Sequence, residues 1–374
     1  MNLDFSDEQK QLREQVRRFL SEQCPPTAVR AILEGSDRYD KGLYSGLAEL
    51  GVLGAAIPEE YGGVGLGHLE LCVVAEELGR VMAPVPVSSS IYLSAEFLLL
   101  AGSESQKSKW LPELASGEAI GTFALVEGPG RARPDSISAR VTGGQLSGVK
   151  MPVADGCDAD FAVVAARDEK EGVSLYIVSL TGEGVNREEL ETIDPTRGQA
   201  RITFDKAPAE LLGSPGQGWH VATQVLDRAA VLMAFEQLGG ADRAMEMARD
   251  YALDRMAFGR PIGSFQAIKH MLADMYVSAT LARSNCYYGA WALGSGAAEL
   301  PAAAATARVS ATTAFQLCSK NNIQVHGGMG FTWAFDCHLY YRRSNALALA
   351  LGSLSAWESQ LIERMSAGNV ETAA

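Results

Sequence analysis

The segment Tyr251–His270 combines arginine side chains with a glycine-containing turn between two helical stretches. Arg255 and Arg260 lie close to Gly259 and Gly263 along the chain. Arginine presents several N–H donors in a planar fork, and glycine allows backbone N–H groups to approach a bound anion. The segment therefore predicts contact with a pyrophosphate. The alternative is an ordinary corner between helices with solvated arginines.

The histidines and cysteines do not have the spacing of metal ligands. The chain has no HxxxH, HExxH or CxxC motif, so the sequence predicts no metal site. The cysteines are far apart, which favours buried thiols in a reducing compartment over a disulfide framework. They are Cys24, Cys72, Cys157, Cys286, Cys318 and Cys337.

The composition is that of a soluble globular protein. Of the 374 residues, 47% are hydrophobic and 21% are charged, and the net charge is −13. A negative charge of this size argues against a nucleic-acid surface, which needs clustered Lys and Arg. The N-terminal stretch MNLDFSDEQKQLREQ lacks the apolar region of a signal peptide, and no apolar run reaches the roughly 18 residues of a membrane span. We expect a cytoplasmic protein without a membrane span.

The elements that must position these residues fall into three stretches of different periodicity. Residues 1–120 show helical spacing and form a predicted N-terminal helical domain, in which Ser6 is an expected N-cap and Ser88–Ala101 one helix. Residues 121–213 form a predicted middle β domain, and residues 214–374 a predicted C-terminal helical domain. The expected strands are Thr122–Val126, Ser138–Val141, Gln145–Val149, Phe161–Ala166, Ser174–Ser179 and Arg201–Phe204. The expected C-terminal helices are Val221–Leu253, Ser264–Leu293, Pro301–His326 and one that begins near Asp336 and runs toward Met365, interrupted at Gly352.

Four motifs in order make the whole chain resemble the acyl-CoA dehydrogenase family. The motifs are PEEYGGVGL at Pro58–Leu66, YALDRMAFG at Tyr251–Gly259 followed by Phe265-Gln266, QVHGGMGF at Gln324–Phe331, and LYYRR at Leu339–Arg343. The resemblance implies a mainly α fold with a central β domain, consisting of an N-terminal helical domain, a middle β sheet or barrel and a C-terminal four-helix bundle. It also implies FAD, a tetrameric assembly and a place in β-oxidation.

The reaction that the resemblance implies is α,β-dehydrogenation of an acyl-CoA thioester to the trans-2-enoyl-CoA, with electrons passed to an electron-transferring flavoprotein. The flavin would carry the redox chemistry while the protein supplies position and a base. By this resemblance, Arg255 and Phe258 contact the FAD pyrophosphate and adenosine region with Gln266 nearby, and a neighbouring subunit's FAD is reached by Gln324, Gly327 and Gly328. Backbone groups of Phe123, Leu125 and Val153 would contact the isoalloxazine.

The chain departs from the family at the catalytic base. The EGT triplet that usually supplies the glutamate falls on Leu351-Gly352-Ser353, and a leucine cannot accept a proton. Leu351 can still offer its backbone N–H to the thioester oxygen of the substrate. In a minority branch of the family, the position that carries the catalytic base falls close to Ala229, which is not acidic either. Glu236, two helical turns farther, is the predicted catalytic base, and the alternative is an ion pair with an arginine of a neighbouring helix.

The middle domain also departs from the family. The segment that usually covers the flavin and substrate falls on Val126–Asp135, where its hydroxyl and acidic pattern is scrambled. In the segment that usually packs on the flavin ring, Pro152 and Ala154 stand where an aromatic residue and a threonine are usual. Side-chain hydrogen bonds to the flavin are therefore lost. Arg228 lies in the region that grips the pantetheine arm in the family, and it is a substrate-binding candidate or a solvated charge.

Three functions remain open at this stage. The first is a homotetrameric FAD-dependent acyl-CoA dehydrogenase with Glu236 as base. The second is a partner-dependent or non-catalytic subunit of an α2β2 heterotetramer that acts on bulky, for example steroid side-chain, CoA esters. The third uses the same fold for another flavin reaction, such as oxygen activation.

Overall fold

The computed structural model describes residues 5–168, 170 and 172–372. The described chain is mainly helical, with a sheet contributed by its middle part, as predicted. No described helix is long and apolar enough to cross a membrane. The described α-helices are α1 (Asp7–Gln23), α2 (Pro26–Glu34), α3 (Lys41–Glu49), α4 (His68–Arg80), α5 (Val87–Ser89), α6 (Glu96–Ala101), α7 (Glu104–Ser116), α8 (Gly218–Asp254), α9 (Gln266–Ser295), α10 (Leu300–His326), α11 (Cys337–Ala350) and α12 (Leu354–Thr372).

The start of α1 shows how a local sequence signal fixes a helix end. The Ser6 hydroxyl accepts a hydrogen bond from the Gln9 backbone N–H, and the Gln9 side chain accepts one from the Ser6 backbone N–H at 2.9 Å. This reciprocal pair is a capping box, which satisfies donors that the first helical turn leaves without partners. The predicted N-cap at Ser6 is therefore confirmed.

The prediction of one helix over Ser88–Ala101 is wrong in its middle part. A π-helix, Ser90–Ala95, separates α5 from α6. The Ser94 hydroxyl donates to the Ser89 carbonyl at 2.9 Å, and the Ser89 hydroxyl donates to the Pro86 carbonyl at 3.0 Å. Serine hydroxyls that bond to nearby carbonyls compete with the regular helical pattern, which explains the irregular turn.

The sheet has eight strands in the order β6-β7-β3-β2-β4-β5-β8, with β1 paired to β4. Most neighbours are antiparallel, as predicted, but β4 runs parallel to both β1 and β2. The sequence analysis missed β6, whose charged residues alternate with half-buried ones, and the short β8. The strands are β1 (Gly121–Ala124), β2 (Arg140–Thr142), β3 (Gln145–Ala154), β4 (Phe161–Arg167), β5 (Val173–Ser179), β6 (Val185–Leu190), β7 (Gln199–Pro208) and β8 (Glu210–Leu212).

The chain divides into two compact units by its internal contacts. The helical unit comprises Met1–Arg30, His68–Ala83 and Ala230–Ala374, and the sheet unit comprises Ala31–Gly67 and Pro84–Ala229. In the helical unit, α10 packs against α9, α11 and α12. In the sheet unit, the π-helix packs against β1. The division into three domains stays a prediction.

Within the helical unit, α4 and α8 cross at backbone contact. A Cβ added to Gly79 would lie 1.8 Å from the Glu236 carbonyl oxygen, and one added to Gly239 would lie 1.8 Å from the Glu76 carbonyl oxygen. Real Cβ atoms do not come this close to another atom, so both positions need glycine. This crossing fixes the stretch of α8 that carries Glu236.

Candidate functional site

The predicted pyrophosphate segment folds into a small hairpin after α8. Strands β9 (Met256–Ala257) and β10 (Arg260–Pro261) pair across a turn in which Phe258 has φ 52° and Gly259 has φ 77°. Two central residues with positive φ are typical of a type I′ hairpin turn. A short 3₁₀ turn follows, so α9 begins at Gln266 rather than at the expected Ser264.

Phe258 is the most unusual residue of this hairpin. Its side chain is 95% exposed, although it is aromatic and its backbone is in the left-handed region. A bulky residue adopts that conformation only at a cost in free energy, which a glycine or asparagine would avoid. The ring lies edge-on to Phe265 at 6.2 Å between centroids and is otherwise largely exposed, so contact with a ligand stays a prediction. Arg255 and Gln266, the other predicted cofactor residues here, are also exposed.

The second predicted cofactor segment lies at the end of α10. Gln324, Gly327 and Gly328 are all exposed. Gly327 has φ 59°, which explains the glycine there. A Cβ added to Gly328 would meet no described atom within 4 Å, so packing inside the chain gives no reason for glycine at that position. A ligand that approaches the backbone closely would give one.

An aromatic stack brings the two segments together within the helical unit. The rings of Tyr251, near the end of α8, and His326, at the end of α10, lie 4.1 Å apart between centroids. Phe335 packs edge-on against both rings. The His326 Nδ1–H donates to the Asn322 carbonyl at 2.8 Å, and burial lowers the pKa of His326. His326 thus has the contacts of a satisfied histidine at a helix end.

Glu236 is enclosed in the helical unit beside a buried arginine. It is 1% exposed, and its Oε1 lies 3.7 Å from the Nη1 of Arg343 on α11. The Arg343 guanidinium also donates to the carbonyls of Met82 and Ala83 at 3.1 and 3.3 Å. The ion-pair alternative for Glu236 is therefore what the structure shows. Its role as a base stays a prediction.

Arg308 is a second buried arginine close to Glu236. Arg308 on α10 is 1% exposed and donates to the Gln237 side chain at 2.5 Å and to the Leu347 carbonyl. Burial lowers the pKa of Arg308 to about 10, against the opposing effect of the Glu236 charge. Glu236 thus serves as counter-charge to two enclosed guanidinium groups. The sequence analysis did not identify Arg308, because only the fold brings it to α8.

The predicted substrate contact Leu351 ends α11. Its backbone N–H points to the Leu349 carbonyl, and its own carbonyl accepts from the Trp357 indole N–H at 3.1 Å. The N–H that was expected to meet a thioester oxygen is therefore directed into the chain. Contact with substrate at Leu351 stays a prediction.

In the sheet unit, Arg228 is not a solvated charge. Its Nη1 lies 3.2 Å from Oε2 of Glu96, the first residue of α6. Glu96 is 1% exposed, whereas the Arg228 side chain is 29% exposed. The sequence analysis missed Glu96, although an acid within the apolar stretch Ile91–Leu100 carries the same signal that singled out Glu236.

The positions expected near the isoalloxazine lie on β1 and β3 of the sheet unit. Phe123 is half-buried and its ring packs on Phe97 at 4.5 Å between centroids. The Leu125 carbonyl already accepts from Lys150 Nζ at 3.0 Å. Val153 is fully buried, and it pairs with Ala200 in the sheet. Contact of its backbone with a ligand stays a prediction.

Lys150 ties down the loop that follows β1. Its Nζ donates to Glu127 Oε1 at 2.8 Å, and Glu127 also accepts from the backbone N–H groups of Ser138 and Ala139. Lys150 is fully buried, and burial lowers its pKa while Glu127 opposes the shift. The segment that begins at Val126, whose sequence departs from the family pattern, is therefore held by an ion pair inside the chain.

Comparison with known proteins gives consistent matches over almost the whole chain. The family model for the acyl-CoA dehydrogenase N-terminal domain matches residues 6–118, and the model for the acyl-CoA dehydrogenase C-terminal domain matches residues 216–365. Acyl-CoA dehydrogenase IpdE2 of Mycobacterium tuberculosis is 34% identical over 352 residues, which is 93% of this chain and 94% of that protein.

Two similar solved structures are two-component proteins by their names. One is a variant of the Tcur3481-Tcur3483 steroid ACAD, at TM-score 0.88 and 30% identity, covering 97% of this chain and 99% of the other. The other is the ChsE4-ChsE5 complex from Mycobacterium tuberculosis, at TM-score 0.89 and 27% identity, covering 98% of this chain and 99% of the other.

Proposed function

Because the chain belongs to the acyl-CoA dehydrogenase family of oxidoreductases, we propose that it is one subunit of a heteromeric, FAD-dependent acyl-CoA dehydrogenase. It contributes pyrophosphate-binding segments to an FAD site, and a different subunit supplies the base that removes the substrate's α-proton. The proposal rests on the enclosure of Glu236, which is 1% exposed beside Arg343. Ala229 and Leu351, at the family's two base slots, cannot accept a proton.

The surroundings of Glu236 suit a counter-ion better than a base. A general base must come within hydrogen-bond reach of the proton that it removes. Two buried guanidinium groups, Arg343 and Arg308, lie near Glu236, so its carboxylate serves as their counter-charge. Enclosure also keeps an acyl chain away from the carboxylate.

The residues of the helical unit fit one half of an FAD molecule. Arg255 and the hairpin turn at Phe258 would hold the pyrophosphate and adenosine region, and the open backbone at Gly327 and Gly328 would reach the FAD of a neighbouring subunit. Pro152 and Ala154 offer no side-chain donor to an isoalloxazine ring in the sheet unit. When bound, FAD accepts the hydride that leaves the β-carbon of the acyl group. A chain with only the first half intact needs a partner to complete a flavin site.

Exposed apolar residues of the helical unit support assembly with another chain. Tyr276, Val277 and Leu281 on α9 are 61%, 54% and 62% exposed. Large apolar groups of this kind on a single surface are typical of an interaction site. We propose an α2β2 heterotetramer in which this face is covered.

The substrate that we propose is a bulky CoA ester, with an electron-transferring flavoprotein as electron acceptor. Of the similar structures, one is named a steroid ACAD and both carry two named components. The small side chain of Ala229, next to Arg228, is compatible with a branched or ring-bearing acyl group.

A homotetrameric enzyme with Glu236 as base is the second candidate. The observation in its favour is that Glu236 is a buried carboxylate on α8, the helix on which the sequence analysis places the base. The two candidates differ in flavin content and in their dependence on Glu236.

The deciding experiment compares the chain alone with the chain co-expressed with a family member that retains the glutamate of the EGT triplet. We expect FAD content near zero per protomer for the chain alone, and about one FAD per pair of chains in the complex. The double variant E236Q/R343M removes the buried ion pair while it keeps a similar volume, and we expect the complex to retain turnover.

One FAD per protomer in the chain alone, together with loss of turnover in E236Q/R343M but not in the single variant R343M, would establish the homotetrameric enzyme instead. Rapid reoxidation of the reduced flavin by air without acyl-CoA turnover would contradict both candidates. R249M, which removes an exposed guanidinium from α8, is the control for charge alone.

A further inference from the structure

Helices α8 and α10 meet along one seam in the helical unit. The partners of four contacts across this seam are each 75 residues apart in the chain. A constant separation means that the two helices run parallel and keep one register along the seam. The four pairs are Gln237 with Thr312, Gly240 with Phe315, Met247 with Asn322, and Tyr251 with His326.

A buried amide contributes to this register. Asn322 is fully buried, and its Nδ2 donates to the Met247 sulfur at 4.0 Å. Its Oδ1 has no hydrogen-bond partner among the described residues. A buried amide that is incompletely paired is costly, and between parallel helices the best-attested role of such a residue is to specify one register. We therefore expect Tyr251 and His326, one helical turn farther along the seam, to meet in a single arrangement.

On α8, Tyr251 leads directly into the hairpin. The Arg255 backbone N–H donates to the Tyr251 carbonyl at 2.9 Å, and the Ile262 backbone N–H donates to the Arg255 carbonyl at 2.8 Å. A Cβ added to Gly263 would lie 3.0 Å from the Ala252 carbonyl oxygen, so the turn after the hairpin packs closely on the end of α8. The position of the hairpin therefore follows the position of Tyr251.

On α10, His326 leads directly into the 3₁₀ turn Gly327–Phe331, which we call the glycine turn. A Cβ added to Gly330 would lie 2.5 Å from the Ile323 carbonyl oxygen and 3.1 Å from the His326 Cβ. The glycine turn thus folds back onto the last turn of the helix, and its position follows the position of His326.

We infer that Tyr251 and His326 are positioning residues that hold the hairpin and the glycine turn in a fixed mutual position. Their rings stack at 4.1 Å between centroids, and His326 donates to the Asn322 carbonyl at 2.8 Å, so both side chains act inside the protein. The inference rests on the proposed function, which assigns both segments to FAD. Binding segments that are already in place lose less conformational entropy when the ligand binds, so the stack strengthens FAD binding without touching FAD.

The first test measures hydrogen–deuterium exchange of the full chain without FAD, on peptides that cover the hairpin and the glycine turn. H326L removes the ring on α10, and Y251L removes the ring on α8. We expect each variant to raise exchange about tenfold in both segments, including the segment on the other helix. H326F keeps an aromatic ring but not the hydrogen bond to Asn322, and it should restore most of the protection. Unchanged exchange in the sheet unit would separate this effect from a general loss of stability.

H338L is the matched control, because it removes a histidine ring that stacks on Trp333 at 4.2 Å but does not belong to the seam. We expect it to leave exchange in the hairpin unchanged. If H326L loosens only the glycine turn, or Y251L loosens only the hairpin, the two segments are independent and the inference is overturned. The two variants approach the stack from opposite helices, so either one decides the question if the other does not fold.

The second test titrates FAD into the flavin-free complex of this chain with its co-expressed partner. We expect H326L to weaken FAD binding about tenfold and H326F to stay within about twofold of the wild type. Unchanged affinity in H326L overturns the inference, and so does an equal loss in H326L and H326F. A wild-type complex that binds no FAD contradicts the proposed function instead, and the exchange experiment, which needs no FAD, distinguishes the two failures.

Discussion

At the scale of single residues, Phe258 is both strained and exposed, so stabilising the fold does not explain its presence. The side chain contributes nothing to the core at 95% exposure, and its φ of 52° is costly for a bulky residue. A residue of this kind is retained where a ligand repays the strain. We therefore interpret Phe258 as a contact for the adenosine part of FAD in the assembled enzyme.

We predict that F258N stabilises the isolated chain and weakens FAD binding in the complex. The change places an asparagine directly before Gly259, which gives the Asn-Gly pair that type I′ turns prefer, and relief of the backbone strain is worth about 1 kcal/mol. Urea unfolding of the chain and FAD titration of the complex measure the two effects. A destabilised chain would show that the contact of the Phe258 ring with Phe265 outweighs the relief of strain.

The two enclosed carboxylates show what residue-level reasoning from sequence can and cannot reach. Glu236 was found because an acid on an apolar helical face must be buried, yet its partner Arg343 lies on α11 and is identified only by the fold. Glu96 carries the same signal within an apolar stretch, but its partner is 132 residues away along the chain. Burial can be predicted from periodicity, whereas the identity of a long-range partner depends on how helices pack.

At the scale of elements, most helices followed from spacing and caps, and the exceptions have local causes. The long helices α8 to α10 begin and end within a few residues of their predicted bounds. The π-helix escaped prediction because it depends on serine hydroxyls bonding to nearby carbonyls, and β6 because its residues are mostly charged. Short or irregular elements depend on tertiary contacts more than on their own sequence pattern.

Two glycines allow an element-level test that distinguishes packing from ligand contact. We predict that G79A destabilises the chain by about 3 kcal/mol, because its Cβ would lie 1.8 Å from the Glu236 carbonyl oxygen and force α4 away from α8. We predict that G328A changes the free energy of unfolding by less than about 0.5 kcal/mol, since its Cβ meets no described atom within 4 Å.

In the complex with its partner, G328A should nevertheless reduce FAD affinity, because the added methyl group occupies the space in which a ligand approaches the backbone. Urea unfolding and FAD titration of both variants provide the measurements. If G328A binds FAD as tightly as the wild type, the end of α10 does not face the cofactor. G328A therefore distinguishes a helix end that contacts the cofactor from one that is only exposed to solvent.

At the scale of the whole molecule, the helical unit combines a closed core with exposed apolar side chains on α9. The core of the helical unit is closed, with its charges paired inside and its glycines at helix crossings. Its exposed side of α9 instead carries Val277 and Leu281, which are four residues apart and therefore on one face. We therefore propose that another chain covers this face of α9.

We predict that L281E prevents assembly without unfolding the chain. Leu281 is 62% exposed, so the substitution costs the isolated chain little, but burying a carboxylate against a partner's apolar surface without a counter-charge costs several kcal/mol. Light scattering should show a smaller particle than for the wild type, with an unchanged circular dichroism spectrum. Q224E, a charge change at an exposed position of α8, should leave the mass unaltered. An unchanged mass for L281E would place the interface elsewhere, and the exposed apolar groups of α9 would then need a different occupant.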